Sequence, residues 1–231
     1  IKLYEILKKM NIATVTAKKF YPSHIDEITL LKKKTKLIVG KNRLEIIKRA
    51  IDKRKKIIIF DDGLQDRSID YSLKFVCFDT INWIGNGKLI PSGPLREKLS
   101  NLKRFDAVFL KNIDQPNLKI INSIKLINPK IKIFNSKYTI KNLKKLSLSK
   151  KYLAFSGIGN PESFKKLLKK YNFNIINYIN YPDHHSYTNQ EFLKIIEKAK
   201  NLKAKIITTE KDFVKIPKIY RSKIKFLDVD L

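Results

Sequence analysis

The chain is poor in the residues that reinforce small or secreted folds. It has 231 residues but one cysteine, one methionine, one tryptophan and only seven glycines. A single cysteine, Cys77, excludes an intrachain disulfide; lying inside an apolar run, it is expected in the core, as in proteins of reducing compartments. No apolar run approaches the length needed to span a bilayer. Acidic residues are scarce, 21 against 50 Lys and Arg, leaving a net charge of +29. Such a balance points to an anionic partner: nucleic acid, a lipid headgroup surface or a phosphorylated substrate. Yet the lysines are spread through every segment, which reads as a compositional coat more than a binding stripe. No zinc-ligand spacing and no RNA-recognition aromatic signature accompany the charge, so no specific nucleic acid is expected.

A hydrophobic fraction of 43% is enough for a real core, in one domain or two smaller ones. Apolar runs and helical stripes alternate along the chain, so the sheet should be mainly parallel. Strands are expected at 12–16, 37–40, 57–60, 73–79, 107–110, 131–134, 152–155, 173–181, 205–209 and 224–229. Helices are expected at 1–10, from Asp26 to Leu31, after Asn42, from Leu95 to Leu102, over 118–127, after Pro161 and around Phe192–Ala199. The polar, lysine-rich stretch 135–151 marks a boundary between domains 1–140 and 150–231. The first segment lacks a starting methionine and a helix cap and carries mixed charge instead of a signal-peptide pattern. Upstream residues are therefore expected to be missing.

The stretch Lys56–Arg67, KIIIFDDGLQDR, is the focus of the chain. Four apolar residues run into Asp61 and Asp62, then Gly63, which permits a sharp turn. The run reads as a strand buried on both faces, with its carboxylates at the sheet edge where open α/β folds bind ligands. Adjacent carboxylates repel each other, which a divalent cation would relieve; a plain polar turn is the other reading. Other unusual polar residues also follow strands: Asp26, Asp79, the loop GNGKLIPSGPLRE at 85–97, the turn Gly157–Pro161, the pair His184–His185, and Glu210–Asp212. In a parallel sheet such positions share one edge. The two histidines are poorly spaced as metal ligands, but one suffices as a base or as partner to a carboxylate. Arg96 and Arg43 read either as phosphate clamps or as surface pairs, and Glu97 either as a magnesium ligand or as a helix-start acid. Gly157-x-Gly159 before a helix is a weak phosphate-cradle signal.

Together these segments resemble one family, the tetraacyldisaccharide 4′-kinases, which act on a lipid A precursor. The matching residues are Asp26-Glu27, Asp61-Asp62-Gly63-Leu64-Gln65, the 85–97 loop, GIGNPESF at 157–164, YPDHHSY at 181–187 and TEKD at 209–212, in that order over nearly the whole chain. The resemblance implies a P-loop-kinase-like, mainly parallel α/β core with a smaller C-terminal α/β domain. It implies transfer of the γ-phosphate of ATP to the disaccharide 4′-hydroxyl, with Mg2+, at the cytoplasmic face of the bacterial inner membrane. Asp61 and Asp62 would sit near magnesium with Glu97. Asp26 would take the hydroxyl proton, supported by His184 or His185, with His184 preferred. Arg43, Gln65 and Arg96 would line the phosphates. Three departures accompany the likeness. No G-x-x-x-x-G-K-[ST] run is present, so residues 1–231 alone are expected to have little kinase activity. Asp66 stands where the family commonly has histidine, and Ala17–Tyr21 replaces a Ser-Arg-Gly-Tyr segment. A non-catalytic homologue and a basic nucleic-acid-binding protein are the alternative readings.

Overall fold

The structure is a computed structural model that describes residues 1–231 apart from Gln65, Arg67, Ile113 and Asp114. It is a mixed α/β fold of parallel sheets flanked by helices, in two compact units. One unit joins Ile1–Ile69 to Ile140–Asp230; the other holds Asp70–Thr139 with Leu231. Contacts thus unite the first 69 residues with Ile140–Asp230.

The first unit contains two parallel sheets. In one, β1 (Thr14–Lys19) lies between β2 (Leu37–Gly40) and β3 (Ile57–Phe60). The connections are α2 (Ile25–Lys34) and α3 (Arg43–Asp52), while α1 (Lys2–Lys9) precedes β1. Asn42 caps α3, its side chain accepting from the Glu45 amide at 2.9 Å. Ile46 and Ala50 of α3 pack on Val15, Ala17 and Ile38. The expected stripe shifts by one face in two helices: Ile51 is exposed, and α1 buries Tyr4 while Ile6 and Met10 face solvent. Strand β3 is half-buried at all four positions, not enclosed on both faces; among the described residues it pairs with β1 at the edge of the sheet.

The other sheet of this unit has the order β11–β10–β8–β9, where β8 is Lys151–Ser156, β9 Asn174–Asn180, β10 Lys205–Thr209 and β11 Ile224–Leu227; the short β7 (Thr139–Ile140) comes earlier in the chain. Helix α6 (Asn189–Asn201) seats Phe192, Ile195 and Ala199 against Leu153, Phe155 and Ile206. Helix α5 (Pro161–Lys170) starts with proline in its first turn behind the cap Asn160, whose side chain accepts from the Ser163 amide. The sequence leaves unread α7 (Glu210–Phe213), a single turn capped by Thr209.

In the second unit, β5 (Ala107–Asn112) pairs in parallel with β4 (Phe75–Asp79) and β6 (Lys132–Lys137). Helix α4 (Leu118–Ile127) and the 3-10 turn Leu99–Arg104 cover one face, packing Leu102, Ile120 and Ile124 on Val108 and Leu110. Cys77 is exposed, contrary to expectation. Val76 and Phe78 point into that core, so the strand's two-residue period turns Cys77 to the opposite face.

Candidate active site

Every strand pairing in the first unit's two large sheets is parallel, so each sheet collects its loops at one carboxyl edge. The two edges meet at Asp26. The chain leaves β1, makes the 3-10 turn Pro22–His24 and enters α2, whose first turn carries Asp26 and Glu27, where negative charge suits the helix dipole. Asp26 is buried at 7% exposure, and its Oδ1 accepts the Glu27 amide at 2.8 Å. From the other edge, the segment after β9 brings His184 Nδ1 to 3.1 Å from the same oxygen. Lys211 of α7 places Nζ 3.3 Å from His184 Nε2. An ammonium can only donate, so Nε2 is the acceptor and Nδ1 carries the proton that it gives to Asp26. The other Asp26 oxygen, Oδ2, is buried and has no hydrogen-bond partner among the described residues; Lys215 and Lys211 stand 3.6 and 3.9 Å away. Burial raises the Asp26 carboxyl, but the Glu27 amide, Lys211 and His184 outweigh it and hold it below its ordinary value. Asp26 is thus a carboxylate with one oxygen fixed by hydrogen bonds and the other buried near Lys215 and Lys211 without one.

Behind this pair lies a residue that the sequence did not mark. Lys18, in β1, is 2% exposed and bridges two carboxylates, Asp61 Oδ2 at 2.5 Å and Glu27 Oε2 at 2.7 Å. Burial lowers its ammonium, but bonds to Asp61 and Glu27 outweigh that and raise it, so Lys18 stays charged. The repulsion between Asp61 and Asp62 is therefore already relieved by a lysine, and does not by itself demand a metal. Asp61 still leaves 48% of its side chain exposed, so the pair fits a hard divalent cation that binds through one or two carboxylates. The turn after β3 uses Asp62, not Gly63, as its left-handed residue (φ +52°). Arg43 holds that turn from beneath: its Nη2 donates to the Asp62 carbonyl at 2.9 Å, Nε to Asp66 at 3.0 Å, and the guanidinium lies over Phe60. Asp66, the departure from the family pattern, is thus a partner for a buried arginine. Gln65 lies outside the described residues.

The glycines at 157 and 159 have a packing reason. A Cβ on Gly157 would stand 3.0 Å from the Tyr187 hydroxyl and 3.1 Å from the Pro182 carbonyl; one on Gly159 would stand 2.8 Å from Asp183. The turn is bare so that the histidine segment can lie against it. Asp212, fully buried, ties the same parts together: it accepts from the Gly157 amide, the Tyr187 hydroxyl and Thr209, and pairs with Lys215 at 3.0 Å. Burial and the Asp212 charge push the Tyr187 phenol up, so it remains a donor. His185 faces away from Asp26. Its Nε2 meets Glu191 at 2.9 Å, inside the capping box that Thr188 and Glu191 form at the start of α6, and its ring stacks on Tyr181.

The remaining candidates belong to the second unit. Glu97 binds Asn101 at 2.9 Å and pairs with Arg104, and Arg96 precedes it in the loop. In that loop Gly85 and Gly87 take positive φ, and Gly93 packs against the Lys88 backbone too closely for any side chain.

Sequence reasoning therefore gave no role to Lys215 or His24, and named Lys18 and Lys211 only within the stretches Ala17–Tyr21 and Glu210–Asp212. Comparison with known proteins identifies the family. The family model described as "Tetraacyldisaccharide-1-P 4'-kinase" matches residues 6–231. Proteins named tetraacyldisaccharide 4'-kinase are similar throughout: one from Pelagibacter ubique is 42% identical over 231 residues, covering 100% of this chain and 74% of the relative. Another, from Rickettsia conorii, is 35% identical over 249 residues, covering 99% and 74%.

Proposed function

Since the chain belongs to the tetraacyldisaccharide-1-P 4'-kinase family, we propose that it serves the transfer of the ATP γ-phosphoryl group to the 4′-hydroxyl of a lipid A precursor disaccharide, with Mg2+. The observation that carries the reading is the buried Asp26 Oδ2, open beside a histidine that holds the other oxygen. The substrate hydroxyl oxygen forms the new bond to the γ-phosphorus while the bond to the bridging oxygen breaks and ADP leaves with that electron pair. The hydroxyl proton passes to Asp26 Oδ2. Asp26 is a weak base, which suits phosphoryl transfer, because the hydroxyl becomes acidic only late in the reaction. His184, donating from Nδ1, holds Oδ1 and leaves Oδ2 without a hydrogen bond. Lys211 and Lys215 balance the charge around the carboxylate. Asp61 and Asp62 would hold magnesium, which would supply charge neutralisation on the phosphates. In this reading Arg43 braces the Asp61–Asp62 turn through the Asp62 carbonyl.

The complete gene product, given ATP, Mg2+ and the tetraacyl disaccharide 1-phosphate, should yield the 4′-phosphate; mass spectrometry showing no such product, or phosphate on another hydroxyl, refutes the reading. Residues 1–231 alone, which hold no G-x-x-x-x-G-K-[ST] run, should give little product.

Among the described residues no helix is long and apolar enough to cross a membrane. The net charge of +29 supports peripheral contact with the anionic inner-membrane surface. Co-sedimentation should occur with anionic vesicles and fail with neutral ones; equal binding to both removes this part of the proposal.

A further inference from the structure

The site has a third histidine that the proposed chemistry does not use. His24 ends the 3-10 turn before α2, two positions before Asp26. Its ring lies flat on that of His184, with centroids 4.6 Å apart and planes 8° apart. His24 Nδ1 is 3.5 Å from Glu27 Oε2, and Tyr21 leans on the ring with its centroid 5.6 Å away. The side chain is one-third exposed, at 33%.

His24, Glu27 and His184 bring ligand-type atoms within 4.8 Å of one another. The stack argues against a shared metal ion. A ring nitrogen binds along a lone pair in its own plane, and two nearly parallel stacked rings, with centroids 4.6 Å apart, do not direct their lone pairs to one shared point. The stack does something else. His184 sits at φ +58°, a backbone state unusual for a bulky side chain, so local preference does not fix its ring. Asp26 holds Nδ1 and Lys211 meets Nε2, which fixes two points on the ring edge. Both contacts lie on the ring edge, and rotation about the Cβ–Cγ bond tips both nitrogens out of line together. Each such rotation bends the Nδ1–H bond away from Asp26. A contact on the ring face resists it, and His24 supplies that contact.

We propose that His24 is a positioning residue that sets the ring plane of His184 and, through it, the direction in which the Asp26 carboxylate presents its open oxygen. The second half rests on the reading of Asp26 and His184 as the proton-accepting pair; the first half does not.

The chain has three histidines, so nitrogen-edited NMR of residues 1–231 contains three imidazole systems, each assignable by one substitution. The wild type should show His184 in the Nδ1–H form with slow exchange of that proton. His24→Ala should speed that exchange roughly tenfold or more and draw the two ring nitrogen shifts together, as the hydrogen bond bends. His24→Phe restores a flat face without a titrating group and should return both signals to near the wild-type values. In the complete gene product, His24→Ala should lower kcat about tenfold with KM within about twofold, as expected for misorientation at a reacting group, and His24→Phe should recover most of it. Unchanged His184 ring signals in His24→Ala overturn the proposal, as does failure of His24→Phe to restore them. If the NMR effect is present but Asp26→Asn leaves turnover intact, the ring-setting role stands and the proton-accepting reading falls.

Discussion

Asp26→Asn in the complete gene product is expected to lower kcat by about 10²–10⁴-fold with little change in KM, because it removes the proton acceptor and keeps the shape. The amide still accepts through one oxygen, so His184 and the Glu27 amide keep a partner and the fold survives. What disappears is the charge at Oδ2, the atom that no described group occupies. The pH dependence follows from the sign of the shift. Asp26 is held below its ordinary value of 3.8, so its accepting, ionised form is complete at neutral pH and is lost only as the pH falls below that value. Between about pH 5 and 8 no limb of the rate profile should belong to Asp26. A variant that keeps a third or more of wild-type kcat would exclude Asp26 as the base, as would a limb in that range that moves in Asp26→Glu.

Asp212→Ala should destabilise residues 1–231 by about 3–5 kcal/mol, the range for removing one partner from a buried charged pair. Asp212 has 0% exposure and receives the Gly157 amide at 3.0 Å, the Tyr187 hydroxyl at 2.9 Å and the Thr209 hydroxyl at 2.7 Å. All three donors lose their acceptor together, and Lys215 keeps its charge with Asp26 as the nearest remaining carboxylate. Asp212→Asn, which retains one accepting oxygen, should lie between the variant and the wild type. Urea unfolding would show this as a lower midpoint at constant slope. A loss under about 1 kcal/mol would mean that the network is peripheral to stability.

The sequence revealed most where the signal was local. Strands 37–40, 57–60 and 205–209 and helix 118–127 have the same bounds in the structure, since each combines an apolar run or stripe with a nearby cap or break. It also pointed to Asp26 and His184 on one rim, and they meet at 3.1 Å across 158 positions of sequence. Lysine was unreadable: with Lys and Arg at 50 positions, nothing distinguishes buried Lys18 from a solvated neighbour until its partners in the fold are known. Cys77 failed for a related reason. An apolar run says that a strand has a core, but not which face meets it, and only packing on Val76 and Phe78 decides. His24 stood alone in the sequence because a stacked ring leaves no trace in spacing.

The first unit is written in two pieces of chain, Ile1–Ile69 and Ile140–Asp230, and this has a consequence during synthesis. A ribosome delivers β1, β2 and β3 first, then some seventy residues of the other unit, and only then the strands that complete the first. At about 5–20 residues per second the early piece waits several seconds with Lys18 already matched by Glu27 and Asp61 but with Asp26 lacking His184, Lys211 and Lys215. The nascent chain thus spends that interval as an open half-structure, the stage at which holding chaperones would matter most.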